Sequence, residues 1–562
     1  MEAVKNTLKG QVFDENFLMT IATVGALVIG EYPEAASVML FYRVGEHFQG
    51  LAVRRSRSSI NSLLDLQPEA ANLLKHGVET VIMSSQLAIG DAIVIRPGER
   101  VPADGVIKEG TTMLDMSALM GESMPVLAKG GDEILSGAIN LDGRITVEIK
   151  KLAAESTAAR IMQLVEDAAK RKAPTEQFIT KFSRIYTPVV CLLAVVTAVV
   201  SVVIFNRPWD AGIYAAMMFL VISCPCALAI SVPLGFFGGL GLASKRGVLV
   251  KGGNYLEALG EVTDIVLDKT GTITTGKLKV SLAEPADGFT KEELLSLAAA
   301  VESGSNHPIA VAICEAAPGG RRPTAVTERP GYGVICEVDG RQVLCGSMRL
   351  LEENGIKVAA VPTYGTSVYL AADGIYVGRV TVRDQVKSDA VKTISDLKAR
   401  GIKSITMLTG DNEETANSVA KEVGIDEVYA NLLPQDKMHH LETIMQKASG
   451  KTIFAGDGIN DAPVLTRVDI GIAMGALGSD AAIEAADIVL MDDKLQCLEL
   501  AFDTAAKTRR TVRQNIVFSL SVKIAVMGLA MFGLGSMWMA IFADVGVALL
   551  AILNSTKLLS YK

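Results

Sequence analysis

Three apolar runs each end on a turn that carries an aspartate: Asp268 in TDIVLDKTGT, Asp411 in KSITMLTGDN, and Asp457 with Asp461 in KTIFAGDGIND. A carboxylate at a strand end, followed by lysine, threonine and glycine, suits nucleophilic attack on phosphorus, because small neighbours let backbone and hydroxyl donors approach an anion. Asp268 is then the nucleophile, flanked by Lys269 and Thr270. Thr409, Gly410 and Asp411 would hold the phosphoryl oxygens and the surroundings of the nucleophile, and Lys437 in LLPQDK would set a cation over the transferring group. Asp457 and Asp461 supply hard oxygen ligands for Mg2+. A single Gly-Asp pair is an ordinary turn. Three aspartate turns in this order point to chemistry.

A second cluster lies in FLVISCPCALAISVPLG, where Cys224 and Cys226 flank Pro225 inside an apolar segment. In hydrocarbon a proline frees a backbone carbonyl, which is tolerated where neighbours, water or an ion satisfy it. Opening the helix there aims both sulfurs at one point, and thiolates select Zn2+, Cd2+, Pb2+ or Cu+ over Mg2+ and Ca2+. Cysteine also packs as a small buried hydrophobe, so the pair is weighed together with Lys523 and Asp544 in later apolar windows. Ionisable groups at such depth cost about 2.5 to 3.5 kcal/mol each on insertion scales and are functional by default. Two thiolates and Asp544 carry three negative charges, which Lys523 and a divalent ion neutralise and a monovalent ion does not. Lys523 reaching instead for an interface would undo that balance. Glu34 stands either on an ion path or, hydrated, at the membrane surface.

The elements that must position these groups are legible from hydropathy. Windows 185–205 and 212–232 are apolar for about the 20 residues a spanning helix needs. Windows 17–30, 33–48, 517–533 and 537–553 are weaker, yet all pair into hairpins across GEYPE, NRPWD and LGSM. Basic residues such as Arg54, Lys181, Arg184, Lys245, Arg509 and Arg513 gather on one side against Arg207 on the other, which puts both large loops in the cytoplasm. The 562 residues are 49% hydrophobic and 21% charged, with mean hydropathy +0.34, as expected when spans alternate with soluble domains. A net charge of -8 and a pI near 5.4 exclude an electrostatic footprint for nucleic acid. Seven scattered cysteines read as reduced thiols and not as a disulfide framework.

The first large loop has short alternating runs such as AIVIRPGERVPADGVI, the signal of a small β-rich domain. The second alternates buried strands with helices, which argues for a parallel doubly wound sheet whose carboxyl strand ends collect ligand groups. An insertion with its own strands and helices makes that sheet domain discontinuous. The expected order is a membrane hairpin (1–50), a β-rich domain with its linker helix (51–180), a hairpin with Cys-Pro-Cys (181–243), the sheet domain in two parts (244–277 and 384–514) around the insertion (278–383), and a last hairpin (515–562).

DKTGT, TGDN and GDGIND together resemble the phosphorylation domain of P-type ATPases. The resemblance implies a six-helix transmembrane core, a β-rich actuator domain, and an α/β doubly wound, haloacid dehalogenase-like phosphorylation domain with an inserted α+β nucleotide-binding domain. It implies ATP and Mg2+ as cofactors, Mg2+ being held by Asp268, Thr270 and Asp457 with support from Asp461. In the heavy-metal branch a Glu, a His-Pro pair and a Gly-x-Gly turn recognise adenine and ribose; here these match Glu302, His307 with Pro308, and Gly331 with Gly333. The actuator's Thr-Gly-Glu loop activates the hydrolytic water, and LDMSALMGESMPV matches it at Gly121 and Glu122 with Met120 in the threonine's place.

Cys-Pro-Cys with Lys523 and Asp544 resembles the zinc, cadmium and lead exporters of that branch, and the Asn-Tyr and Met-Ser elements of the copper pumps are not found. The expected activity is therefore ATP-driven export of a soft divalent ion through an aspartyl phosphate. The alternatives are a Cu+ exporter and a membrane-anchored phosphohydrolase that does not transport. The expected partners are the lipid bilayer, ATP and the metal ion, the expected assembly is a monomer, and the expected location is a bacterial inner membrane. Neither the Cys-x-x-Cys domain nor the two extra spans usual at the front of such pumps precede Asn16, so the expectation is either a truncated or engineered core or a natural short form.

Overall fold

Where water is absent, backbone groups must pair within their own segment, so the apolar runs of the chain become helices. The computed structural model describes residues 15–63, 68–116, 125–204, 206–223, 226–305, 307–317, 322–329, 331–358, 365–457, 461–475, 480–531 and 534–560. It divides into two units: 1–261 with 487–492 and 500–562, and 262–486 with 493–499.

In the first unit, helices Glu15–Val28 and Tyr32–Leu63 are joined at Gly30, whose φ of 84° suits a residue without Cβ. Pro174–Val203 starts on proline, where the missing N–H is not needed. Trp209–Ile222, Cys226–Lys245 and Gln496–Met531 follow. The last helix is interrupted: Met537–Ile541 passes through a π-helical turn, Phe542–Gly546, into Val547–Thr556. Gln496–Ala530 and Met537–Leu559 are long and apolar enough to cross a membrane. Several helices outrun their hydropathy windows. Window 33–48 is half of Tyr32–Leu63 and window 517–533 begins midway along Gln496–Met531, because hydropathy reports the hydrocarbon-facing length while the backbone ladder continues into polar sequence. Window 212–232 is two helices, with 224–225 outside the described residues.

Small residues bring these helices together. Met19, Ala22 and Ala26 pack on Met217, Met218, Val221 and Ile222, with Val526, Met537 and Ala540 closing the cluster. A Cβ on Gly25 would lie 2.6 Å from Met217 Sδ, so the Met217 side chain fills the space that glycine leaves at this crossing.

The β-rich part of this unit has a six-stranded antiparallel sheet in the order Val78–Met83, Ala70–Lys75, Ala92–Ile95, Ile145–Ile149, Gly105–Glu109, Glu133–Ile134. A three-stranded sheet of Val126–Lys129, Thr111–Asp115 and Ile139–Asn140 accompanies it. Its core is a block of isoleucines, Ile93, Ile95, Ile107, Ile134, Ile145 and Ile149, on four neighbouring strands. Buried Asp104 accepts from Ser136 N and from Thr157 Oγ1, both at 2.9 Å, and thereby ties helix Thr157–Lys170 to the sheet.

The second unit is built on parallel strands in the order Ile470–Met474, Lys451–Gly456, Val262–Asp268, Ser404–Leu408, Glu427–Tyr429. Apart from the edge strand Glu427–Tyr429, these strands are largely buried and read as continuous apolar runs. Between the central strands the chain leaves along Thr274–Pro285 and returns along Ile375–Val386, paired antiparallel from Thr274↔Val386 to Pro285↔Gly378. This ribbon opens a six-stranded antiparallel sheet completed by Thr366–Ala372, Arg341–Gly346, Gly333–Val338 and Thr324–Arg329. Helices Lys291–Glu302 and Pro308–Ala316 cover one face of that sheet.

Candidate functional site

Asp268 ends its strand opposite Leu408 and is 6% exposed. Lys437, in the first turn of helix Pro434–Lys447, donates to Asp268 Oδ1 at 2.6 Å and to Asp461 Oδ1 at 2.9 Å. Burial pushes the Asp268 carboxyl up to about 6, and the Asp461 and Asp457 charges add to the rise against the opposing pull of Lys437. Burial also opposes the charge on Lys437, but the Asp268 and Asp461 carboxylates outweigh it and hold the ammonium above its ordinary value. The site thus carries more negative than positive charge.

The loop after Asp268 is fixed by contacts around Gly271, whose φ is 72°. Lys387 Nζ donates to Gly271 O at 3.0 Å and to Asp493 Oδ1 at 2.7 Å. A Cβ on Gly271 would stand 3.2 Å from Asp457 Cβ, so the bare backbone admits the Asp457 side chain beside the loop. Three carboxylates, Asp268, Asp457 and Asp461, therefore gather with one ammonium, a hard-oxygen, net-negative set that suits Mg2+. Gly456 serves in the same way: its Cβ would meet Asp461 Oδ2 at 2.8 Å.

Lys269 is buried and pairs with Asp411 Oδ2, with Asp384 Oδ2 at 3.9 Å. Thr274 Oγ1 donates to the same Asp384 carboxylate, and burial raises that carboxyl above its usual range. Thr409 Oγ1 accepts from Asp411 N at 3.1 Å, and a Cβ on Gly410 would lie 3.3 Å from Leu432 O. A cavity of about 370 Å3 lies against Lys269, Thr270, Asp384 and Asp411. Asp384 and Lys387 were not expected from sequence. Their signal is the polar VRDQVK that follows the apolar half of the returning strand, with no spacing that ties it to DKTGT.

In the insertion, Glu302 ends helix Lys291–Glu302, and His307 caps the next helix, its Nδ1 accepting from Ile309 N at 3.3 Å with Pro308 at the first helical position. Burial raises the Glu302 carboxyl, while the Cys345 thiol, which donates to Glu302 Oε1 at 3.5 Å, and His307 lower it. Gly331 and Gly333 adopt φ of 78° and 136°, and Gly333 sits so close to Gly346 that a Cβ would be 2.5 Å from Gly346 Cα. Strand pairing of Gly333 with Gly346 puts the glycine turn beside Cys345 and so beside Glu302.

Among the membrane helices, Lys523 and Asp544 are 5% and 1% exposed. Lys523 Nζ donates to Asp544 Oδ1 at 3.1 Å and to Ile222 O at 2.9 Å. The lysine therefore does not reach for an interface. Ile222 ends its helix two residues before Cys224, so its carbonyl is one that a helix end leaves without an intrahelical partner. Asp544 lies in the π-helical turn, a local widening frequent at functional sites. Cys226 begins helix Cys226–Lys245, and its side chain, with Cys224, Pro225, Met120, Gly121 and Glu122, lies outside the described residues. Glu34 is in the first turn of Tyr32–Leu63, its side chain likewise not described.

Residues 65–166 match the P-type ATPase actuator domain, and residues 265–469 match the haloacid dehalogenase-like hydrolases. The chain is 49% identical to the cadmium, zinc and cobalt-transporting ATPase of Bacillus subtilis (strain 168), over 100% of this chain and 81% of the relative. It is 48% identical to the zinc-transporting ATPase of Synechocystis sp., over 99% of this chain and 78% of the relative. A crystal structure of a zinc-transporting PIB-type ATPase in its E2.Pi state superposes with a TM-score of 0.64 at 36% identity, covering 99% of this chain and 92% of that one.

Proposed function

This chain belongs to the metal-transporting P-type ATPases, and on that premise we propose that it uses ATP to export Zn2+, Cd2+ and Pb2+ through a phosphorylated Asp268. The observation that carries the choice of ion is the buried Lys523–Asp544 pair docked on the Ile222 carbonyl, two residues before Cys224. Two thiolates from Cys224 and Cys226 with Asp544 need Lys523 and a divalent cation for neutrality, and sulfur favours soft ions.

Adenosine binds at Glu302, His307 with Pro308, Gly331 and Gly333, and the phosphates extend toward Lys269, Thr270 and Asp411. Mg2+, when bound, offsets phosphate charge and would be held by Asp268, Thr270 and Asp457, with Asp461 in support. Lys437 occupies Asp268 Oδ1, which leaves Oδ2 to attack the terminal phosphorus while ADP departs. A carboxyl that titrates near 6 is mostly ionised at neutral pH and so able to attack. Thr409 and Gly410 receive the phosphoryl oxygens. Glu122, beside Gly121 and Met120, then takes a proton from the water that hydrolyses the acyl phosphate.

Transport follows if the inward and outward states bind the ion with different affinity, since a ligand moves an equilibrium only by that difference. Glu34 lines the outward path. We assign the seven segments 1–50, 51–180, 181–243, 244–277, 278–383, 384–514 and 515–562 to the domains expected above. One chain holds every group the cycle uses, so the pump acts as a monomer, in a bacterial inner membrane. The test is ATPase activity against Zn2+, Cd2+, Pb2+ and Cu+, repeated with Cys224 and Cys226 replaced by alanine. Stimulation by the divalent ions that vanishes in the variant is expected; stimulation by Cu+ alone, or turnover indifferent to the cysteines, rejects the proposal.

A further inference from the structure

Helices Pro174–Val203, Trp209–Ile222 and Gln496–Met531 enclose a cavity of about 430 Å3 that the transport cycle does not use. That volume falls within the range of about 300 to 1,000 Å3 typical of ligand sites. Its wall is mainly apolar, from Val196, Val200, Phe219 and Met527, and three polar residues interrupt it: Thr197, whose hydroxyl donates to Leu193 O at 2.8 Å, Ser201 and Arg207. Ser201 is 6% exposed and its hydroxyl has no hydrogen-bond partner among the described residues. An unpaired hydroxyl in a membrane interior costs free energy unless a ligand satisfies it.

The wall is ordered by depth. Arg207 is half-buried at the hairpin turn, next to exposed Trp209, an aromatic of the kind that marks the membrane surface. Ser201 stands just inside, its carbonyl accepting from Arg207 N at 3.2 Å. Val200 directly precedes Ser201, Val196 lies about one turn beyond Val200, and Ile222 and Met527 form the floor. A cation, then a hydroxyl donor, then an apolar tunnel repeats the order of phosphate, ester carbonyl and acyl chain in a glycerophospholipid.

We propose that this cavity is a binding site for one glycerophospholipid acyl chain, with the lipid phosphate on Arg207 and an ester carbonyl accepting from the Ser201 hydroxyl. The lipid is more than a filler, because the floor belongs to the ion site. Ile222 O receives Lys523, and Met527 Sδ accepts from Ser223 Oγ at 3.8 Å. An acyl chain against Ile222 and Met527 supports the helix end that holds Lys523.

The experiment is native mass spectrometry of the purified full chain reconstituted with palmitoyl-oleoyl phosphatidylethanolamine, beside oleic acid and lauryl maltoside as probes without phosphate. One tightly retained phospholipid is expected in the wild type, lost in Val200→Trp, which fills the tunnel, and reduced at least tenfold in occupancy in Arg207→Gln. Metal-stimulated ATPase in nanodiscs should fall with occupancy in both variants, while ATP binding to the soluble domains stays unchanged and reports intact folding. Retention of phospholipid by Val200→Trp, or equal retention of oleic acid and phospholipid by the wild type, overturns the proposal. The pump assignment is tested separately, by which metals stimulate the wild type and whether that stimulation needs Cys224 and Cys226, a comparison made at one and the same lipid occupancy.

Discussion

Replacing Asp268 by asparagine removes a charge that the fold holds at a cost. The carboxyl is raised from 3.8 to about 6 mainly by burial, a difference of about two units, and each unit corresponds to about 1.36 kcal/mol. Because the folded value lies above the unfolded one, the native state binds the proton more tightly, and ionisation costs stability. The cost is absent well below pH 4, grows as pH rises through 6, and is complete above it at about 3 kcal/mol. Asparagine keeps the shape and one acceptor for Lys437, and Lys437 keeps Asp461. In chelator, the Asp268→Asn variant should therefore be more stable than the wild type at pH 8, with the gap narrowing toward pH 5. Amide exchange along Val262–Asp268 measures this locally, and a gain on the order of a hundredfold in protection is expected at pH 8. Saturating Mg2+ should close most of the gap by protecting the wild type alone. A variant less protected than the wild type at pH 8, or a gap constant between pH 5 and 8, would refute the view that Asp268 is held charged against its surroundings. The same variant forms no acid-stable phosphoenzyme.

Lys523→Met strands the Asp544 carboxylate among helices at 1% exposure, and breaking a buried pair costs about 3 to 5 kcal/mol. Its melting temperature in detergent should drop and metal stimulation vanish, whereas the Lys523→Met/Asp544→Leu double variant should recover most of the melting temperature and none of the stimulation. Gly271→Ala places a Cβ against Asp457 at a φ of 72°, a strain of about 1 kcal/mol. The Mg2+ concentration for half-maximal phosphoenzyme should rise several-fold with ATP affinity unchanged, as read from a Mg2+ titration of labelling.

The gathering of Asp268, Asp457 and Asp461 around Lys437 was legible because its parts follow from local rules. Asp268 and Asp457 are found where an apolar run meets a glycine-bearing turn, and a parallel sheet brings such turns to one edge. Lys523 and Asp544 stood out because charge in an apolar window is rare. What the sequence hid is long-range or geometric. Lys387 meets Gly271 across 116 positions, and nothing in either segment's periodicity announces the contact. The π-helical turn at Asp544 is one extra residue in a helix whose composition does not change. Helix lengths were underestimated because polar sequence such as that of Tyr32–Leu63 stays helical beyond the apolar window.

The ribbon that joins the insertion to the sheet breaks its pairing between Thr274↔Val386 and Leu278↔Asp384, leaving Thr275, Gly276 and Lys277 out of the ladder. A paired ribbon resists sliding of one strand on the other but yields where the ladder is interrupted. Bending is thereby eased seven to nine residues past Asp268, beside the threonine that Asp384 grips. Were adenine bound in the insertion as proposed, a swing of the insertion would pull first on Thr274 and Asp384, and through Asp384 on Lys269, so that its capture would reach the cavity beside Lys269 as a mechanical tug.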